Sequence, residues 1–93
     1  MSAIDRVQRI RACLTAQFAP SRLDVEDESH HHVGHAGAAG GQGHFRVHIE
    51  SAAFAGLSPV ARHQRIYAAL GELMRTDVHA LAIVARAPGE RSG

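Results

Sequence analysis

A small single-domain α/β (α+β) fold is what this sequence predicts, with elements in the order α-β-β-α-β and a three-stranded mixed sheet carrying its helices mainly on one face. Three observations lead there. Apolar residues recur at helical spacing near the start of the chain and again after residue 58, and two other stretches alternate between apolar and polar residues. The second and third strands are separated by 27 residues containing a helix, the length of a crossover that joins parallel strands in one sheet. The 93 residues suffice for one modest core and exclude a second domain, because small domains bury a lower fraction of their unfolded surface than large ones.

The first helix is predicted over residues 3–17. Ser2 with Asp5 three residues on resembles a capping box, and Ile4, Val7, Ile10, Leu14 and Phe18 follow on one face. Pro20 and Ser21 end it. In "RLDVED", Leu23 and Val25 alternate with polar neighbours, the period of a half-buried strand. "HFRVHIE" is the clearest strand, with Phe45, Val47 and Ile49 on one face and His44, Arg46, His48 and Glu50 on the other. A short irregular segment covers 51–56. Ser58 and Pro59 then supply an N-cap and a first-turn proline for a second helix over 59–75, whose apolar positions include Val60, Ile66, Leu70, Leu73 and Met74. The final strand, "VHALAIVAR", has apolar residues at both parities, which predicts at least partial cover on both faces. The core thus spans about 4–88, with a polar tail at 89–93.

Between the first two strands lies a segment of about 28–43 that reads "HHHVGHAGAAGGQGH" into the second strand. It is long for a hairpin connection, and its glycines argue for a flexible loop. It holds His30, His31, His32 and His35, with His44 at its exit. If the last two strands are parallel, both begin at the same end of the sheet, so His79 lies near this loop. One reading is an open two-ligand half-site, since imidazole suits zinc, copper, nickel and iron. The other is a solvated loop beside a strand histidine satisfied by a hydrogen bond. Two imidazoles and no second cysteine do not complete a structural zinc site, so a half-site implies a partner that supplies the rest.

Other chemistry finds little footing. Ten basic and nine acidic side chains give a net charge of +1, which points to no particular partner, although protonation of eight histidines makes the chain cationic in acid. The lone Cys13 cannot form an intramolecular disulfide and reads as a small residue flanking the core. With the charges of the first 18 residues, which do not fit a signal peptide, it places the protein in the cytoplasm. No apolar run approaches the roughly 20 residues that span a bilayer. Arg62, His63, Arg65 and Arg75 on the second helix are candidates for phosphate contact, set against an ordinary charged outer face with one tyrosine and no tryptophan for base stacking. Gly34-His35-Ala36-Gly37 matches a GxxG nucleic-acid loop but joins two strands, where that loop joins helices. No grouping of serine, histidine and carboxylate suits acyl transfer, and the chain is not expected to be an enzyme.

"DESHHHVGHAG", "HFRVHIESAAFAGLSPVARHQRIYAAL" and "VHALAIVARAP", in this order, resemble the BolA family over roughly residues 4–88. Arg62-His63 with Arg65 and Tyr67, and His79-Ala80-Leu81, carry most of the likeness; Gln64 departs from the RHR triplet of many members. The resemblance implies a KH-like (class II) fold with a helix-turn-helix-like element, and two functions. One is partnership with a monothiol glutaredoxin bearing a CGFS motif, sharing a bridging [2Fe-2S] cluster in iron–sulfur trafficking. The other is transcriptional regulation of stress response and morphology through DNA. In the first, His79 matches the C-terminal cluster ligand, and the loop ligand falls on His32, with His35 as the nearest substitute. The glutaredoxin and its glutathione would add thiolates, and two neutral imidazoles should raise the cluster's potential relative to four thiolates. No cofactor is expected in the isolated protein, which is expected to be a monomer or weak homodimer away from membranes.

Overall fold

The computed structural model describes residues 3–28, 43–76 and 78–90. Helix α1 (Ala3–Phe18) buries Ile10 and Leu14, with Val7, Cys13 and Phe18 packed beside them, as the three- and four-residue spacing requires. The cap expected from Ser2 and Asp5 lies outside the described residues and side chains. The helix stops where Ala19 adopts a left-handed backbone, φ 43°, and donates its N–H to the Thr15 carbonyl at 3.1 Å; Pro20 then blocks continuation.

Strand β1 (Arg22–Asp27) pairs antiparallel with β2 (Gly43–Glu50), from Arg22 opposite Glu50 to Asp27 opposite Phe45. Strand β3 (Val78–Arg86) lies on the other side of β2 and runs parallel to it, so the sheet order is β1-β2-β3 and the sheet is mixed, as expected. Alternation along β2 is complete. Phe45, Val47 and Ile49 are buried under the helices, while His44, Arg46, His48 and Glu50 lie half-buried on the opposite face.

The segment expected to be irregular after β2 is an organised turn. The Ser51 hydroxyl donates to the Phe18 carbonyl at 2.6 Å and accepts from the Ala53 amide at 3.1 Å, capping a 3-10 turn (Ala52–Phe54). That turn drives Phe54 into the core, where its ring centroid lies 4.9 Å from that of Phe18. Full burial of such a side chain contributes about 1.5–3 kcal/mol. Helix α2 (Pro59–Leu70) starts from the Ser58 cap as expected, the hydroxyl accepting from the Ala61 amide.

Two expectations are corrected here. The second helix does not run unbroken to 75: Gly71, at φ 49°, closes α2 by donating to the Tyr67 carbonyl, and Leu73–Thr76 form a separate helical turn, α3. Val60 is 66% exposed, because Arg62, Ile66 and Leu70 form the stripe that faces the sheet and Val60 falls on the opposite side. Strand β3 is partly covered on both faces, as expected, since Val84 and Arg86 are half-buried on the face opposite Leu81, Ile83 and Ala85. Leu81, Ile83 and Ala85 pack on the core while Ala80 and Ala82 are exposed, a tolerable arrangement because alanine presents little apolar area.

Candidate functional site

The parallel pairing of β2 and β3 fixes the geometry. Gly43 stands opposite Val78 and His44 opposite Ala80, so the register slips by one residue and His79 has no counterpart in β2. This is the arrangement of a β-bulge, which leaves its extra residue outside the ladder and re-aims the strand. The slip also changes parity. Val78 is buried and Ala80 exposed although two positions apart, where an unbroken strand would turn both to one face. His79 therefore sits at the point where β3 irregularly enters the sheet, at the same end as His44.

Segment 29–42 leaves and re-enters the sheet at this end too. The Glu28 amide donates to the His44 carbonyl at 2.7 Å, closing the β1–β2 ladder. Below it, Arg46 Nε donates to Glu28 Oε2 at 3.1 Å, partly buried, which fixes the departing strand against the entering one. A shallow recess of about 240 Å³ opens here, lined by Glu28, His44, Phe45, Ala80, Leu81 and Ala82. His32 and His35, the expected loop ligands, lie outside the described residues. Among the described residues, no three His, Cys, Asp or Glu side chains are grouped to hold a metal ion.

The four residues considered for phosphate contact are divided by the structure. Arg65 is exposed, Arg75 is exposed and lies 3.2 Å from Glu72, and His63 is half-buried. Arg62 is corrected from any role on a charged outer face: it is only 9% exposed and turned inward. Its Nε donates to the Leu57 carbonyl at 3.0 Å, and Nη1 donates to the Ala85 carbonyl at 3.0 Å. Nη1 and Nη2 hold the two oxygens of Glu90 at 2.6 and 2.7 Å. Such a bidentate, hydrogen-bonded arrangement suits a buried guanidinium. It holds the Glu90 carboxyl well below its ordinary range, pushed down to about 2, first through the Arg62 hydrogen bonds and then through the Ala87 amide. The same bonds raise Arg62.

Sequence reasoning missed Glu90, which it left in the polar tail, and the slip at His79. Nothing in the one-dimensional pattern marks a bulge, and the partner of Arg62 is 28 residues away.

The sheet order, the crossover and this end of the molecule define a BolA-type α+β domain. The model of the BolA-like protein family matches residues 14–90, and the chain belongs to that family. It is 46% identical over 90 residues to SufE-like protein 1 of Arabidopsis thaliana, covering 91% of this chain but 24% of that longer protein. The solved BolA domain of SufE1 from Arabidopsis thaliana superposes with a TM-score of 0.82 at 41% identity, covering 98% of this chain and 99% of that one. The DNA-binding transcriptional regulator BolA of Haemophilus influenzae is 39% identical over 83 residues, covering 89% of this chain and 78% of that protein. Among the described residues no helix is long and apolar enough to cross a membrane, and SufE-like protein 1 is described as chloroplastic/mitochondrial.

Proposed function

We propose that this chain is an iron–sulfur co-chaperone that binds a monothiol CGFS glutaredoxin. It would hold one side of a bridging [2Fe-2S] cluster, its cargo, through His79 and a histidine of segment 29–42, His32 or its substitute His35. The observation that carries this reading is the shared end of the sheet: β2 and β3 run parallel, and His79 falls at the register slip beside the strand into which the histidine-rich segment feeds. Imidazole is a competent ligand for iron, and two such ligands leave positions for thiolates of the glutaredoxin and its glutathione. The role is one of holding and passing on a cluster, not of catalysis.

Mixing the protein with a cluster-loaded monothiol glutaredoxin and recording visible circular dichroism tests this. A new mixed-ligand spectrum is expected, and His79→Ala should abolish it even if the two proteins still associate. If His79→Ala leaves the spectrum and stability of the cluster unchanged, the assignment fails.

A second reading, a DNA-binding regulator of stress response and morphology, is favoured by the likeness to the Haemophilus influenzae protein. It would rest on Arg65, Arg75 and His63, because the Arg62 donors are engaged within the fold. Titration of DNA affinity against salt decides it. Several phosphate contacts require affinity to fall linearly in log salt, whereas absence of binding at low salt removes the reading.

A further inference from the structure

In a parallel ladder, alternate residues of a strand turn both N–H and C=O toward the partner strand, and those between turn both away. The Ser51 amide donates to the Arg86 carbonyl at 2.9 Å while Glu50 stands opposite Arg86. Arg86, Val84, Ala82 and Ala80 therefore face β2, and Leu81, Ile83, Ala85 and Ala87 present their backbone groups at the outer edge of the sheet. Two of these edge positions are engaged. Arg62 Nη1 donates to the Ala85 carbonyl, and the Ala87 amide donates to Glu90 Oε1 at 3.0 Å. Arg62 and Glu90 clasp each other across the strand end. Among the described residues nothing caps the outward groups of Leu81 and Ile83.

We propose that the Arg62–Glu90 clasp is an edge guard that keeps β3 from pairing with β3 of a second copy of this chain, and that loosening it produces an edge-to-edge dimer. The occupant follows from the strand itself. An antiparallel pair with its two-fold axis at Ala82 sets Leu81 against Ile83 of the second copy, so that each pair exchanges N–H···O bonds through the uncapped groups. Residues 80–85 carry no charge, so identical strands meet without like-charge opposition and without the lysines that blunt many edges. With the clasp closed, the Ala85 carbonyl is taken and the guanidinium stands where the added strand would run, leaving only the short stretch around Leu81 and Ile83. With it open, the ladder extends to Ala85 and beyond. The clasp thus explains a buried arginine three of whose four donor contacts go to the end of β3 and the tail that follows it.

Sedimentation velocity over a concentration series tests the guard. The unaltered chain should keep the mass of one copy, while Glu90→Ala should rise toward roughly twice that mass as concentration increases. Arg62→Lys keeps the charge but cannot span carbonyl and carboxylate together, and should behave likewise, which preserves the test if Glu90→Ala fails to fold. Adding Ala82→Glu to Glu90→Ala should restore the single-copy mass, because the two introduced carboxylates would face each other across the axis. Ala82 is exposed on the sheet's open face, so this change leaves the fold intact. The proposal is overturned if folded clasp variants keep the single-copy mass throughout, if their dimer survives Ala82→Glu, or if the unaltered chain already forms the same dimer.

Discussion

Replacing Ser51 by alanine isolates one side chain that joins three elements. Its hydroxyl is buried, donates to the carbonyl that ends α1 and caps the turn that seats Phe54. Loss of an N-cap hydroxyl costs about 1 kcal/mol. Loss of the 2.6 Å bond leaves the Phe18 carbonyl, in a half-buried residue, without its donor, for a further 1–2 kcal/mol or so. The expected destabilisation is therefore about 2–3 kcal/mol, or roughly 8–24 °C in Tm for a domain of this size. Urea denaturation followed by far-ultraviolet circular dichroism measures it. Because Ser51 follows β2 at the end opposite Gly43, cluster formation with a glutaredoxin at low temperature should be unaffected. A loss under about 0.5 kcal/mol would refute the reasoning, since it would mean that water replaces both bonds at no cost. Loss of the cluster spectrum in a folded variant would equally refute the separation of the two ends.

Further outcomes follow from the same structure. Glu90 is held down to about 2 from an ordinary 4.5, so its contribution to stability is fully present above about pH 4.5 and disappears as pH falls toward 2; Tm measured against pH in dilute solution should converge for the unaltered chain and Glu90→Gln at the acid end and diverge above it. Ala19→Gly should stabilise by about 1 kcal/mol or somewhat less, because a left-handed residue with a Cβ carries a steric cost that glycine avoids, partly offset by glycine's greater entropy when unfolded; thermal denaturation reads this directly. Leu14→Ala should cost about 2–5 kcal/mol by leaving a cavity under the sheet, measured by the same denaturation. In the cluster assay, His32→Ala should leave a remnant that disappears only when His35 is also replaced, whereas His79→Ala alone should remove the signal.

The sequence by itself determined the periods. Alternation of Phe45, Val47 and Ile49 with His44, Arg46 and His48 can be satisfied only by a strand with one covered face, and the 27-residue separation that contains a helix requires a crossover and therefore parallel strands. From those two facts the placement of His79 at the His44 end of the sheet was already legible, as was the family through its motifs. Tertiary structure decided what periodicity does not encode. The slip between Gly43 and His44 depends on how two distant segments meet, so no local pattern announces it. Gly71 divides the second helix because a left-handed residue and a cap bond outweigh the apolar spacing that continues through Leu73 and Met74. The fate of Arg62 was least legible of all. Its spacing from Ile66 and Leu70 sets it on the covered stripe while its charge reads as solvent-facing, and a guanidinium is buried only where a carboxylate and carbonyls converge to satisfy it; those partners come from a strand end and a tail that only folding brings to α2.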